Sequence, residues 1–293
     1  MANRRSHEHK PRRRNIVLIV LLVFLLVMVL LYADSNTRLV TNEYVLYYSN
    51  LPEAFDGYRI VLLADQHGAE LGDNNKRLVE AVRLAEPDII AISGDLIDRF
   101  QAGKPVERQF EVAESLVKQL VQIAPVYYVT GNHEWDSGMV RPFLVMLEEN
   151  DVDVLQNKYR RLTIGDDMII LAGIDDPNGP ADMIKPDEFI ESIYDNEIVD
   201  FLIVMYHRNY SLQRFSSFGV DLVLSGHAHG GMIRLPFTDG LIGPQYELFP
   251  TYTSGVYTSG ETNMVVSRGL GNHFGWTRFL NNPQVVVVDL RVD

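Results

Sequence analysis

The sequence predicts an α/β protein in which two mixed sheets pack together with helices outside, preceded by one transmembrane helix. Three observations predict it. Residues 16–33 are uncharged and almost wholly Leu, Val and Ile. From Arg59 onward, short apolar runs of buried-strand type alternate with amphipathic helical stripes. After about residue 152 the strand candidates lie too close together for simple strand–helix alternation.

The N-terminal segment comes first. Ile16 to Ala33 approaches the roughly 20 residues a helix needs to cross the hydrocarbon layer, and it lacks the polar face of a buried core helix. Arg4, Arg5, Lys10, Arg12, Arg13 and Arg14 precede it, and Asp34 follows. Residues 1–15 therefore read as a basic cytoplasmic tail and residues 16–33 as a single-pass anchor in the cell membrane, with the rest on the outer face. A cleaved signal peptide fits less well. The apolar run exceeds the usual range of about 7–15 residues, and Leu31-Tyr32-Ala33-Asp34-Ser35 offers no clear A-x-A site. Residues 34–43 are expected to be a tether. No repeat or obvious linker divides residues 44–293, which read as one domain.

The elements of that domain follow in order. Tyr44 to Tyr48 reads as an edge strand, with a turn at Asp56-Gly57. Arg59 to Ala64 is a buried strand, and Lys76 to Ala85 carries a helical stripe stopped by Pro87. Residues 88–93 and 126–130 are the next strands, each followed by a helix, over 106–123 and 140–149. Further strands are expected at 152–156, 160–164, 168–174, 201–206, 221–225, 231–235, 263–267 and 284–290, with helices at 187–195 and 210–216.

Charge narrows the function. The chain has 26 Lys+Arg against 39 Asp+Glu, a formal charge of −13. Setting aside six basic residues and Glu8 in residues 1–15 leaves 20 basic and 38 acidic residues, a net −18. Such a body is not a general nucleic-acid binder. A hydrophobic share of 46% excludes a disordered chain, and the absence of cysteine excludes thiol nucleophiles and cysteine-ligated zinc.

The chemistry sits at the strand ends. Asp65-Gln66-His67, Gly94-Asp95-Leu96-Ile97-Asp98 and Gly131-Asn132-His133-Glu134 follow the first three strands of the alternation. His207 follows 201–206, and Gly226-His227-Ala228-His229-Gly230 follows 221–225. Ligands bind outside the carboxyl ends of strands in open α/β sheets, so these five clusters converge on one place. Of the eight histidines, His7 and His9 lie in the tail and His273 stands apart; the other five are in the clusters. One histidine beside an apolar strand is ordinarily a core residue, but five with two aspartates and an asparagine make a metal site. Imidazole plus carboxylate without thiolate suits Mn, Fe, Zn, Co or Ni. The ligands outnumber what one open ion can use. Two ions about 3.5–4 Å apart, bridged by Asp95, would use them all, polarising phosphoryl oxygens and holding a hydroxide for in-line attack.

This ordered pattern (D-x-H, G-D-x-x-D, G-N-H-[DE], a lone H, G-H-x-H) resembles the calcineurin-like metallophosphoesterases, and it covers residues 65–229. The resemblance extends to their membrane-anchored bacterial branch of YkuE/YaeI type. That branch shares an N-terminal membrane or export segment, a G-Y-R-I-V strand, the H-G-G-x-I-R-L-P run (His229 to Pro236) and S-R-G-L-G (Ser267 to Gly271). It implies a four-layer αββα sandwich. It also implies that Asp65, His67 and His229 hold one divalent ion, that Asp95 bridges, and that Asn132, His207 and His227 complete the second. His133 resembles the family histidine that does not ligate but faces the leaving-group oxygen as general acid, a role suited to imidazolium near neutral pH. The implied reaction is hydrolysis of a phosphodiester or pyrophosphate, in a small-molecule or lipid-linked substrate. A phosphomonoesterase and a non-catalytic metal-binding envelope protein are the alternatives. The run His207-Arg208-Asn209 lacks the usual Pro. Met232 stands where the family loop has Gln, and Ala228 where it has Thr.

Other residues have two readings each. Arg208 could clamp a phosphate or make an ion pair. Arg268, His273 and Arg278 lie in a Gly-rich loop that could roof the site; Arg268 is the further candidate for substrate binding. Asp98 is expected to hydrogen-bond its own loop or a ligand histidine. Asp175 and Asp176 are explained by a turn before Pro177, Glu134 and Trp135 by loop closure, and Tyr246, Phe249, Tyr252 and Tyr257 by packing.

Overall fold

The computed structural model describes residues 10–99, 105–243, 246–272 and 277–293. His7, His9 and His273, and with them most of the basic tail, lie outside the described residues. Helix α1 (Lys10–Thr37) leads directly to β1 (Val40–Tyr48). Then come β2 (Arg59–Leu63), α2 (Lys76–Leu84), β3 (Ile89–Ser93), α3 (Val106–Leu120), β4 (Val126–Val129), the short α4 (Asn132–Asp136), α5 (Val140–Glu149) and β5 (Val152–Val154). The second half holds β6 (Lys158–Ile164), β7 (Asp167–Ile174), α6 (Pro186–Asn196), β8 (Leu202–Tyr206), α7 (Leu212–Ser217), β9 (Leu222–Ser225), β10 (Gly255–Ser259), β11 (Thr262–Val266) and β12 (Gln284–Val292).

The strands form two six-stranded sheets, ordered β1-β12-β2-β3-β4-β5 and β10-β11-β9-β8-β7-β6. Both are mixed. In the first, β12 runs antiparallel to β2 but parallel to β1; in the second, the two outer pairs are antiparallel around a parallel centre. Strand alternation builds the layers. Ile60 and Leu62 of β2 point between the sheets, where they join Leu171, Ile203, Leu224 and Val286. Val61 and Leu63 point the other way, onto Leu78, Leu116 and Phe143 of α2, α3 and α5. On the far side, Leu202 and Val204 pack on Phe189 of α6 and Phe215 of α7. Strands buried on both faces read as unbroken apolar runs, which is why β2, β3 and β8 stand out in the sequence. The result is the expected four-layer αββα sandwich.

Two expectations need correcting. Residues 34–43 are not an extended tether: α1 continues to Thr37, and β1 starts at Val40. In this last turn the side chains of Ser35, Asn36 and Thr37 bond back to carbonyls four residues earlier. Residues 231–235 form no strand. A tight turn over His229–Gly231 precedes isolated bridges from Ile233 to Phe279 and from Arg234 to Gly240. β10 was not foreseen; it pairs antiparallel with β11 across a tight turn at Gly260.

Candidate metal centre

Five strand ends deliver the cluster. Asp65 and His67 follow β2, Asp95 follows β3, Asn132 and His133 open α4 after β4, His207 follows β8, and His227 and His229 follow β9. Asp65, His67, Asp95, His227 and His229 all have φ between +48° and +68°. Non-glycine residues rarely adopt that region, and such strain concentrates at functional sites because it aims side chains that regular backbone would not. Glycine lets the loops meet. A Cβ on Gly94 would lie 2.5 Å from the Gly131 nitrogen, and one on Gly131 would overlap the Asp95 carboxylate.

Three groups of buried side chains converge: Asp65–His67–His229, His67–Asp95–His133 and Asp95–His207–His227. His67 Nε2 is 3.1 Å from His229 Nε2. His229 Nε2 lies 3.5 Å from Asp65 Oδ1, and His207 Nε2 lies 3.1 Å from Asp95 Oδ2. His67 Nε2 is 4.0 Å from Asp65 Oδ1 and 3.8 Å from Asp95 Oδ2. Two donors each about 2.1 Å from a common ion are separated by about 3.0–4.2 Å, depending on the angle between them. The distances among Asp65, His67 and His229, and that between Asp95 and His207, fall in this range. In addition, Asn132 Oδ1 is buried without a hydrogen-bond partner, which is costly unless a further group satisfies it.

The electrostatics point the same way. Burial pushes the Asp65 carboxyl up to about 7. Burial would also raise Asp95, but the histidines around it, led by His207, hold it well below the usual carboxylate range. For His207, burial favours the neutral ring, yet Asp95 outweighs it and pushes the imidazolium up to about 10. His227 and His229 are held neutral, first by burial and then by neighbouring cationic groups. Neutral imidazoles beside carboxylates are ready-made ligands for a divalent cation.

His133 differs from the rest. Its Nδ1 lies 2.6 Å from Asp98 Oδ1, so Asp98 fixes the ring, and its Nε2 is 4.0 Å from Asp95 Oδ2. Burial opposes the His133 charge, but Asp95 and Asp98 together raise its pKa above the ordinary value.

Several neighbours do more than the sequence revealed. Glu134 is fully buried and accepts from the backbone N–H of Gly131 (2.8 Å), Asp95 (3.0 Å) and Ile97 (3.2 Å). It thereby clamps two of the cluster loops together. Removing it by Glu134→Ala strands three buried donors, and should cost about 3 kcal/mol or more of stability; urea unfolding in the presence of chelator measures this, and an unchanged midpoint would contradict the clamp. Asp176 is not a simple turn residue: it receives Arg208 through Nε (2.6 Å) and Nη2 (3.0 Å). Arg208 is thus already bidentate on a carboxylate, and only its Nη1 faces the cluster, 3.4 Å from His227 Nε2. Asp175 accepts from Trp135 and Gln156. Arg268 reaches Asn42 on β1. The fully buried guanidinium beside Asp65 is Arg278, lowered to about 10 by burial, with Nη2 donating to the Gly271 carbonyl.

Comparison with known proteins identifies the family. Residues 58–231 match the calcineurin-like phosphoesterase family. The chain is 28% identical over 254 residues to the uncharacterized metallophosphoesterase YkuE of Bacillus subtilis, covering 86% of this chain and 85% of that one. It is 31% identical over 233 residues to a putative metallophosphoesterase of Caenorhabditis elegans, covering 74% of this chain but only 44% of the worm protein. Among solved structures, TT1561 of Thermus thermophilus superposes with a TM-score of 0.47 at 13% identity, over 73% of this chain and 90% of that one. Fold, cluster and family match together make this chain a calcineurin-like metallophosphoesterase, a hydrolase with a buried His/Asp metal-binding centre.

Proposed function

We propose that the chain is a membrane-anchored phosphoesterase that uses two divalent ions to hydrolyse phosphodiester or pyrophosphate bonds. Residues 16–33 anchor it, residues 1–15 remain in the cytoplasm, and residues 44–293 form the catalytic domain on the outer face. The observation that carries the reading is that the buried groups Asp65–His67–His229 and Asp95–His207–His227 lie against each other, with His67 Nε2 3.8 Å from Asp95 Oδ2. In this reading Asp65, His67 and His229 would hold one ion, Asn132, His207 and His227 would hold the other, and Asp95 would serve both. Mn, Fe and Zn all suit such a donor set. Bound ions supply Lewis acidity toward phosphoryl oxygens and a nucleophile from water at neutral pH.

The chain's own residues do the rest. Asp98 holds the His133 ring at 2.6 Å, and its charge together with that of Asp95 outweighs burial and favours the protonated ring. As hydroxide oxygen bonds to phosphorus and the bond to the leaving oxygen breaks with its electron pair, His133 gives its proton to that oxygen and is reprotonated from solvent, which has taken the proton lost by the attacking water. Arg208 Nη1 offers one donor beside His227, and the Asp176 pair fixes its direction. Arg268, whose Nη2 donates to Asn42 Oδ1, is the second candidate for substrate contact.

The substrate class is tested by assaying the metal-stripped, Mn-reloaded protein on bis-p-nitrophenyl phosphate, p-nitrophenyl phosphate and pyrophosphate. Diester or pyrophosphate turnover above monoester turnover is expected. Monoester preference would favour the phosphomonoesterase alternative, and no turnover with metal bound would favour a binding protein.

Protonation gives a second test. In the metal-free cluster His207 holds a proton up to about 10 and Asp65 up to about 7. Metal uptake at neutral pH should therefore release about one proton or more per chain, measurable by calorimetry in buffers of different ionisation enthalpy. The same raised values fix a sign. Both groups bind protons more tightly folded than unfolded, so the stability they contribute is lost as pH rises through about 7 and then 10. His227 and His229, lowered from 6.5, add no slope above that pH. The melting temperature of the chelated protein should fall from neutral toward alkaline pH, and the rise produced by manganese should grow over the same range.

A further inference from the structure

The outer end of α1 is built into the fold. Ser35 Oγ accepts from the Leu280 N–H (2.7 Å), Asn36 Nδ2 donates to the Arg278 carbonyl (2.8 Å), and Asn282 Nδ2 donates to the Asp34 carbonyl (2.8 Å). Asn36 Oδ1 in turn accepts from Asn272 Nδ2 (3.0 Å). Residues 278–282 then join the cluster loop. Arg234 N–H donates to the Phe279 carbonyl (2.9 Å), and Asn281 Nδ2 donates to the His229 carbonyl (2.7 Å). From Arg234 the chain runs straight into residues 235–243, where Arg234 bridges Gly240 and Ile242 bridges Leu248.

That excursion is apolar and exposed. Phe237 is fully exposed, Phe249 is 74% and Leu248 71% exposed, and Leu235 and Tyr246 also face outward. Residues 235–249 carry no Lys or Arg and only Asp239 and Glu247 as acids, in a body that is otherwise densely charged. Scattered exposed apolar residues are ordinary, but a contiguous set marks a contact surface. The excursion also borders a cleft of about 220 Å³ lined by Asn209, Tyr210, His227, Ala228, Glu247 and Thr251. The cluster histidine His227 is thus reached from beside the apolar loop.

Continuity with the end of α1 names the occupant. We infer that Leu235, Phe237, Leu248 and Phe249 dip into the outer leaflet beside the anchor, and that the cleft at His227 receives phosphoester head groups of lipids held in that leaflet. This rests on the reading of α1 as an uncleaved anchor. A few apolar side chains bind a bilayer weakly alone, but an anchor that already holds the protein at the surface makes their insertion effectively intramolecular.

The chain has no cysteine, so a single introduced cysteine takes one spin label. In the full-length protein in phosphatidylcholine–phosphatidylglycerol nanodiscs, labels at Phe237→Cys, Leu22→Cys and Asp166→Cys are compared for relaxation by oxygen and by a nickel chelate. The expected result is bilayer-type accessibility at positions 22 and 237 and aqueous accessibility at 166, in the exposed turn between β6 and β7. A label at 22 in the bilayer with one at 237 in water overturns the inference and leaves the anchor standing. Labels at both positions in water remove the anchor reading, and the inference falls with it. For the substrate, the double variant Phe237→Ser/Leu248→Ser should lower the ratio of phospholipid turnover in nanodiscs to bis-p-nitrophenyl phosphate turnover by about tenfold, since membrane engagement scales with buried apolar area. An unchanged ratio overturns the lipid assignment.

Discussion

Asp95→Asn is expected to abolish metal-dependent hydrolysis, lowering kcat by about a thousandfold or more, a loss of the size seen when a main source of transition-state charge stabilisation goes. Asp95 Oδ2 lies 3.1 Å from His207 Nε2, 3.8 Å from His67 Nε2 and 4.0 Å from His133 Nε2, so one carboxylate faces all three rings. An amide keeps the shape but removes the charge that sustains His207 and His133 as cations in the metal-free protein and that balances cations in the loaded one. Metal content should drop by one ion or both. The backbone bond from His133 N to Asp95 Oδ1 survives if the Asn oxygen takes that position, so the variant should still fold. Circular dichroism and metal analysis on the same sample separate lost chemistry from lost structure. Full activity in a folded Asp95→Asn protein would sink the two-ion reading.

The second large effect concerns His133. His133→Asn should keep both ions yet lower kcat by about 10²–10⁴-fold, the range for loss of a positioned acid. The size should depend on the leaving group. A p-nitrophenolate leaves without a proton, so bis-p-nitrophenyl phosphate should show the smaller loss and an alkyl diester the larger. Asp98→Asn, which removes the carboxylate 2.6 Å from His133 Nδ1, should give a smaller loss and move the alkaline limb of the pH–rate profile downward, because one of the charges raising His133 is gone. Equal losses for aryl and alkyl leaving groups would assign His133 to charge stabilisation instead of proton transfer.

Much of this site was readable before the fold was. Each cluster is local in sequence and follows an apolar strand, and α/β topology carries such strand ends to one edge. Gly94 and Gly131 were legible as motif letters, although their reason is three-dimensional: each occupies space the facing loop needs. What stayed hidden depends on long-range partners. Nothing near Glu134 in sequence announces that it will bind the amides of Asp95 and Ile97, nearly forty residues away. Asp176 reads as a turn residue until Arg208, 32 positions later, is brought onto it. Arg278 sits in a Gly-rich run that looks like surface loop, and only folding buries it beside Asp65. The helix end at 34–37 was misread as tether for the same reason, since its partners are residues 272–282.

The central claim is that this chain binds two divalent ions and needs both for hydrolysis. The most direct measurement titrates manganese into the metal-stripped full-length protein, with binding followed by calorimetry and bis-p-nitrophenyl phosphate turnover measured on the same samples. The account predicts saturation at two ions per chain, with activity rising as the second site fills. A folded protein that binds no ion, or that reaches full activity with a single one, would contradict it.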